Sequence, residues 1–316
     1  MLNGTRRFGA VALAFAVFAG ACSAASTATP APTVTPAASS TAASSAAPAA
    51  SPAAGTGCVT GSITVSGSTA LQPLVDAAAK KCDAACPGAT ITVNGGGSGT
   101  GLTQVAAGGV QIGDSDVTAE SKLKAEDAAK LVDHIVAKQG WIVVTNPGVT
   151  GVTNLTTQQN IDIWTGKDTN WNQVGGPDLP IVLIFRPASS GTRSTFKKLV
   201  LGGATEATTG GQTLTEDSNG AVTTAITKTN GAVSVIGFAY YNDPANKSKL
   251  TGLQLDGVDA TVANMTGGTY KLAADGHMYT NGKPDGLTAA FLAYMLGKDV
   301  QGTLIPSMFY APVAAQ

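Results

Sequence analysis

Charged and aromatic side chains are scarce in this 316-residue chain, at 12% and 5% of the residues. Soluble domains usually carry about 25% charged residues. No Asp, Glu, Lys or Arg occurs between Arg7 and Asp76, and no cluster of Lys and Arg forms a basic patch elsewhere. Because nucleic acids are bound mainly through many basic side chains, the sequence argues against a nucleic-acid partner.

Histidine and cysteine are also rare, with two and four residues respectively. His134 and His277 lie in unrelated sequence contexts. Zinc and similar metals are held by clusters of His, Cys and carboxylates at short spacings. The sequence therefore predicts no metal site, and no other cofactor is expected.

The first residues have the order of a secretory signal. Arg6 and Arg7 precede an uncharged apolar stretch, residues 8–21, that ends at Cys22. This stretch is shorter than the about 20 residues that a membrane-spanning helix needs. Residues 19–22 (AGAC) resemble a bacterial lipobox, so residues 1–22 are expected to be a lipoprotein signal segment with Cys22 lipidated. An ordinary signal cleaved nearby, with Cys22 discarded, is the alternative.

Residues 23–57 contain almost only Ala, Ser, Thr and Pro and cannot bury a core. We expect them to form a disordered tether that reaches roughly 100 Å when extended at about 3.1 Å per residue. The folded part then begins near Cys58 and runs to residue 316, which is long enough for one large domain or two lobes.

Three cysteines remain after Cys22, in a compartment that a secretory signal makes oxidising. Cys58 and Cys86 each lie about five residues before a predicted strand, and parallel neighbouring strands would bring them close enough for a disulfide. The sequence favours a Cys58–Cys86 disulfide. A Cys82–Cys86 disulfide is the alternative.

A strand, a small-residue turn and a helix follow one another several times. Predicted strands occupy residues 63–66, 89–93, 110–113 and 181–185, and helical patterns follow each of them. This alternation predicts an α/β fold with an open parallel sheet. Gly, Ser and Thr cluster at each handover from strand to helix, which is the edge of the sheet where ligands of such folds bind.

The helix starts at these turns offer unpaired N–H groups, and Ser and Thr add hydroxyl donors, so the turns suit an anion. In a single loop, Ser and Thr could simply cap the helix. Four such turns, with an Arg and an Asp among them, favour an oxyanion site. No Gly-Lys-Ser/Thr follows the glycine run at 95–101, and its glycine spacing differs from the dinucleotide pattern. A small tetrahedral anion therefore fits better than a nucleotide.

The same turns resemble those of a known family, the substrate-binding proteins of the bacterial phosphate ABC transporter. The similar segments are residues 65–74 (VSGSTALQPL), 93–102 (VNGGGSGTGL), 112–116 (IGDSD) and 186–193 (RPASSGTR). Residues 163–171, 231–240 and 268–272 look like later segments of the same family. The resemblance runs in order through residues 58–316.

This resemblance implies a two-lobed periplasmic-binding-protein fold of type II, in which each lobe is an open sheet flanked by helices. Phosphate would bind between the lobes. The implied phosphate-binding residues are Ser68, Thr69, Ala70, Ser98, Asp116, Arg186, Ser190, Gly191 and Thr192. Asp116 would accept the proton of phosphate, and Arg186 would supply the positive charge.

One position departs from the family pattern. An acidic residue often stands two positions after the arginine, where this chain has Ala188. The departure predicts a less restrained Arg186. Asp114, beside Asp116, is expected to point away and cap a helix, and Trp141, Trp164 and Trp171 are expected to pack in the core or in turns.

Anion-binding turns occur on both sides of Trp141, so the ligand is expected to bridge two halves. The predicted domains are lobe 1 at 58–139 with 237–316, and lobe 2 at 140–236. The resemblance implies an extracytoplasmic, lipid-anchored monomer that delivers phosphate to an ABC permease and is not an enzyme.

Two alternatives stay open at this point. One is a carrier of another tetrahedral oxyanion, such as sulfate, molybdate or tungstate. The other is a secreted serine hydrolase or phosphatase, which would need a base beside its serine. Ser98 has Gly96 before it but Thr100 where the nucleophile turn of such enzymes has Gly, which weakens that reading.

Overall fold

Residues 58–207 and 212–313 are described by the structure, a computed structural model. The predicted signal segment 1–22, with Cys22, and the predicted tether 23–57 lie outside these residues. None of the helices within the described ranges has the length and apolar character needed to cross a membrane.

Short strands, most of them in one mixed sheet, form the centre of the fold. They are β1 (Gly61–Gly67), β2 (Ala89–Asn94), β3 (Ile112–Ser115), β4 (Leu131–Thr145), β5 (Asn154–Leu155), β6 (Val182–Phe185), β7 (Gln212–Thr215), β8 (Ala232–Gly237), β9 (Thr251–Gly252), β10 (Gln254–Leu255) and β11 (Ala273–Asn281). The four strands predicted from the sequence correspond to β1, β2, β3 and β6 and begin within two residues of the predicted positions.

The main sheet has the order β2-β1-β3-β11-β4-β8-β6-β7. Pairing is parallel within β2-β1-β3 and within β8-β6-β7, as the β-turn-α pattern indicates. Between these two groups lie β11 and β4, which are antiparallel to each other and to their outer neighbours. The sequence analysis did not predict this antiparallel centre.

Strand β4 connects the two parallel groups. Its residues from Leu131 to Gly140 pair with β11, and those from Trp141 to Thr145 pair with β8. One continuous strand therefore belongs to both halves of the sheet, and it changes partner between Gly140 and Trp141.

Helices flank the sheet and follow most of the strands. They are α1 (Gln72–Ala85), α2 (Ser98–Ala106), α3 (Ala125–Ala128), α4 (Thr157–Trp164), α5 (Gly191–Leu199), α6 (Asn219–Lys228), α7 (Phe238–Asn242), α8 (Pro244–Lys247), α9 (Val262–Thr266), α10 (Gly286–Met295) and α11 (Ile305–Ser307). In α1 the buried residues Leu74, Val75 and Ala78 recur at helical spacing, and a proline in its first turn costs no hydrogen bond.

Two large hydrophobic cores lie on the two halves of the sheet. One contains side chains of β1 and β2 with α1 and α10, and the other contains side chains of β6 and β8 with α4, α5 and α6. Trp141, Trp164 and Trp171 are all buried in the second core, which confirms that they pack rather than lie free in a cleft.

The second core extends further along the chain than residue 236. Leu250, Leu253, Leu255, Tyr270 and Leu272 all pack in it, while Ala239 and then Met278 on β11 contribute to the first core. The predicted division at 140–236 stays a prediction.

A disulfide joins Cys58 to Cys86, whose Cα atoms are 5.2 Å apart. It lies beside the parallel pair β1 and β2, where residues 61–66 face residues 89–94. Cys82 is a free cysteine on α1. The bridge therefore fixes the beginning of the described chain to the edge of the sheet.

Candidate functional site

Five turns meet at the edge where the parallel strands end. They are the turns after β1 (68–71), β2 (95–97), β3 (116–118), β6 (186–190) and β7 (216–218). The first three come from one parallel group and the last two from the other. Hydrogen bonds between Arg186 and Thr69 and between Thr192 and Asp116 show that the two groups of turns touch.

Asp116 is the centre of this cluster. Its carboxylate accepts hydrogen bonds from the Ser68 hydroxyl, from Gln139 Nε2 at 3.0 Å and from Thr192 Oγ1 at 3.2 Å. Its side chain and backbone are buried, with 3% of the residue exposed. Burial raises the pKa of Asp116, while the hydrogen bonds from Ser68 and Gln139 and the charge of Arg186 act in the opposite direction.

Ser68 holds Asp116 and the turn before α1 at the same time. Its hydroxyl donates to Asp116 Oδ1 and accepts the Ala70 N–H at 3.0 Å and the Leu71 N–H at 3.1 Å. A hydroxyl can do both because it has one donor and two acceptor positions. Ser68 therefore positions the carboxylate, and its neighbour Thr69, which is 8% exposed, turns towards the other half of the sheet.

Ser98 and Gly191 pack against the other side of Asp116. Ser98 Oγ accepts the Asp116 N–H at 2.9 Å, and Ser98 is completely buried at the start of α2. A Cβ on Gly191 would lie 2.6 Å from Asp116 Cβ and would overlap Ser98 Oγ. The close approach of α5 to α2 therefore requires glycine at 191.

Thr192 and Ser190 lie at the start of α5. Thr192 Oγ1 donates to Asp116 and accepts the indole N–H of Trp141 at 3.1 Å. The Ser190 hydroxyl caps α5 by accepting the Arg193 N–H at 3.2 Å. Trp141 is thus a core residue that also fixes the direction of the Thr192 hydroxyl.

Arg186 is buried, with 4% exposed, and backbone carbonyls hold its guanidinium. Nε donates to the Glu216 carbonyl at 3.0 Å and Nη2 to the Asp217 carbonyl at 2.9 Å. Nη1 is buried and has no hydrogen-bond partner among the described residues. The prediction that Ala188 leaves Arg186 less restrained is therefore wrong, because the carbonyls of the turn after β7 hold the guanidinium in place.

Two polar residues of the cluster were not predicted from the sequence. Asn219 is completely buried at the start of α6, where Nδ2 donates to Thr69 Oγ1 at 3.1 Å and Oδ1 accepts the Gly237 N–H at 3.1 Å. The run of polar residues 216–220 after a short strand was an available signal for Asn219. Gln139 lies in the middle of β4, where no turn or helix start marks it.

Asp114 does not cap a helix, so that prediction is wrong. It lies inside β3 and is completely buried, and neither carboxyl oxygen has a hydrogen-bond partner among the described residues. The alternation of the strand places Asp114 and Ser115 on opposite faces of the sheet, and both residues are completely buried. Burial raises the pKa of Asp114 well above its usual range, and the neighbouring charge of Asp116 raises it further.

Neither histidine lies beside a serine of this cluster. His134 Nε2 hydrogen-bonds Thr280, and His277 Nδ1 hydrogen-bonds the carboxylate of Asp133 at 2.9 Å. A hydrolase of the serine type needs a base within about 3.2 Å of its nucleophile. The arrangement of donors around one carboxylate is suited to holding an anion that carries a proton.

The chain is similar to a known superfamily and to phosphate-binding proteins within it. The model of the PBP superfamily domain matches residues 26–299. The phosphate-binding protein PstS of Bacillus subtilis is 44% identical over 252 residues, which cover 80% of this chain and 81% of that protein.

Solved structures are similar over the same part of the chain. A phosphate ABC transporter substrate-binding protein of Clostridium perfringens with bound phosphate, described as putative, has a TM-score of 0.72 and 28% identity, covering 80% of this chain and 100% of that one. An ABC-type phosphate transport receptor of Vibrio cholerae has a TM-score of 0.61 and 29% identity, covering 79% of this chain and 100% of that one.

The buried Asp114 predicts a defined pH dependence for the Asp114→Asn variant. Because the pKa of Asp114 is raised in the folded state, wild-type stability falls as pH rises from the unfolded pKa of about 3.9 to the folded pKa. Asp114→Asn carries no ionisable group at this position, so its stability does not fall for this reason. Relative to wild type, its free energy of unfolding should rise by about 1.4 kcal/mol per pH unit within that window and then stay constant.

Urea unfolding at several pH values, in buffer without phosphate, measures this difference. The exposed Asp285→Asn is the matched control and should give a smaller pH dependence. A constant difference between Asp114→Asn and wild type at all pH values would show that Asp114 ionises normally in the folded protein.

Proposed function

This chain belongs to the PBP superfamily and, within it, to the PstS family of phosphate-binding proteins. We propose that it binds inorganic phosphate and delivers it to the permease of an ABC transporter. The binding site is the cleft between the turns around Asp116 and those around Arg186. The protein acts outside the cytoplasm and turns over no substrate.

The acceptor capacity of Asp116 carries this proposal. A carboxylate has about four acceptor positions, and Ser68, Gln139 and Thr192 use three of them. The remaining position is on Oδ2, in a cleft where Arg186 Nη1 is buried without a partner among the described residues. An anion that carries a proton can satisfy both groups at once, since its charge meets Arg186 and its O–H donates to Asp116.

Phosphate is such an anion near neutral pH, whereas sulfate has no proton to donate. Sulfate would press a bare oxygen against the Asp116 carboxylate, and an unmet buried polar group costs about 1–3 kcal/mol, more when it is charged. The carboxylate therefore disfavours sulfate and the other fully ionised oxyanions, molybdate and tungstate.

The other site residues supply donors around this pair. The hydroxyls of Thr69, Ser98 and Ser190 and the N–H groups at the start of α5 lie in the turns at this edge of the sheet. The Ala70 N–H, which the sequence also suggested as a donor to the anion, is bound to Ser68 Oγ. We add Asn219 to the residues predicted from the sequence, because its amide reaches Thr69 at 3.1 Å. Gln139 and Ser68 keep the Asp116 carboxylate in place.

Titration calorimetry of residues 58–316 with phosphate, arsenate, sulfate and molybdate tests the proposal. Wild type should bind phosphate and discriminate against sulfate by several orders of magnitude. Asp116→Asn should keep much of the phosphate affinity and gain measurable sulfate binding, because an amide can donate to a bare oxygen.

Wild type should also gain sulfate affinity as the pH falls, because a protonated Asp116 can donate.

Asp217→Asn is the matched control, since Asp217 is exposed and touches Arg186 only through its backbone carbonyl. It should keep the preference for phosphate. Equal affinity of wild type for sulfate and phosphate would refute the role of Asp116, and turnover of p-nitrophenyl phosphate or esters would favour a hydrolase.

The lipid anchor at Cys22 is part of the same proposal. The order of basic, apolar and small residues before Cys22 supports it, and a tether of 35 residues after it would let a monomeric binding protein reach its permease.

In the cells that produce the protein, Cys22→Ala should move it from the membrane fraction to the soluble fraction. The free cysteine variant Cys82→Ala is the control and should remain in the membrane fraction. If Cys22→Ala stays membrane-bound and no unprocessed protein accumulates, Cys22 is not the anchor.

A further inference from the structure

Lys122 reaches across the cleft beside the proposed phosphate site. Its ammonium donates to the Ala188 carbonyl at 2.6 Å, to the Ser194 hydroxyl at 2.6 Å and, more weakly, to the Ser190 carbonyl at 3.3 Å. All three acceptors belong to the turn after β6 and the first residues of α5. One side chain therefore makes three contacts with a single segment, residues 188–194.

Lys122 and this segment belong to different halves of the molecule. Lys122 follows a short 3-10 turn, Ala119–Ser121, whose Ala119 packs in a small core with Leu102 and Tyr279. The segment 188–194 precedes Phe196, which packs in the second large core. These contacts join the two halves, as does the hydrogen bond from the Gly99 N–H to the Ser189 carbonyl at 2.8 Å, so an opening of the cleft would break them.

The segment that Lys122 holds is the one that carries the donors for phosphate. It follows Arg186 directly and contains Ser190, Gly191 and Thr192 at the start of α5. Ala188, whose carbonyl accepts from Lys122, has no acidic side chain to pair with Arg186. In this chain the turn is thus fixed from the opposite half by a cation, and no carboxylate is added beside the anion.

Burial and the nearby charge of Arg193 lower the pKa of Lys122, and the charge of Asp116 acts in the opposite direction. A partly buried ammonium with three acceptors makes charge-assisted hydrogen bonds, which are about twice as strong as neutral ones. The arrangement is therefore more than a surface contact.

We propose that Lys122 is a positioning residue that latches the closed cleft and thereby sets the rate of phosphate release. This inference rests on the proposed function. Lys122 makes its contacts after the two halves have come together, so it acts on the dissociation of phosphate and not on its first encounter with the open cleft.

Stopped-flow and calorimetric measurements with inorganic phosphate on the protein test the latch. Lys122→Met keeps the length of the side chain and removes the ammonium. It should release phosphate at least about tenfold faster, the loss expected for charge-assisted hydrogen bonds, with an association rate within about twofold of wild type. Lys124→Met is the matched control, because Lys124 is exposed two residues away, and it should change neither rate.

Ser194→Ala removes one acceptor of Lys122 and provides a second, independent variant. It should accelerate release on the wild-type background but add less to Lys122→Met, because the two residues share one hydrogen bond. A purely structural effect would instead be additive and would change both rate constants.

The outcomes separate the latch from the proposed function. If wild type binds phosphate and Lys122→Met releases it at the wild-type rate, the latch is refuted and the proposed function stands. If Lys122→Met slows association and leaves dissociation unchanged, Lys122 attracts the anion and is not a latch. If wild type binds no phosphate, the proposed function fails, and the latch that rests on it fails too.

Discussion

A buried carboxylate that must be surrounded by donors brings together the two halves of the sheet. Asp116 is 3% exposed, and an ionised group at such a depth is costly unless hydrogen bonds and opposite charge compensate for it. No single turn supplies enough donors. Ser68 comes from the turn after β1, Gln139 from the middle of β4 and Thr192 from the other half of the sheet. These three donors reach the carboxylate together because the two halves of the sheet meet at it.

The guanidinium of Arg186, on the other half of the sheet, is also a buried charged group that needs hydrogen-bond partners. Arg186 uses the Glu216 and Asp217 carbonyls to fix its plane and leaves Nη1 free for the cleft. Carbonyl dipoles orient the guanidinium without neutralising it. A carboxylate at position 188 would neutralise part of its charge. The carboxylates of Asp116 and Asp217 lie near enough to interact with this cation, and the turn that follows Arg186 is also held by the contacts of Lys122.

Local sequence patterns predicted the turns well because their chemistry is local. A glycine or a hydroxyl at the end of a strand is needed there whatever the rest of the fold does, so the turns that contain Ser68, Ser98 and Arg186 could be located from their neighbours, whereas the roles of the single residues came from the resemblance to a known family. All of them lie in the same cluster in the structure.

What the sequence did not reveal depends on distant partners. Gln139 is a polar residue in the middle of a strand, and only its contact with Asp116 at 3.0 Å distinguishes it from a surface glutamine. The antiparallel pairing of β4 with β11 joins residues far apart in the chain, which no local pattern encodes. Asp114 was misplaced because the side that a strand residue faces depends on the sheet around it.

A crystal structure of residues 58–316 grown with phosphate would show whether Asp116 and Arg186 hold the anion together. We expect one anion in the cleft, with one oxygen about 2.5–2.7 Å from Asp116 Oδ2, as expected for a charge-assisted O–H···O bond. A second oxygen should lie within about 3.2 Å of Arg186 Nη1. A phosphate bound elsewhere, or an Asp116 that contacts the anion only through water, would contradict the account.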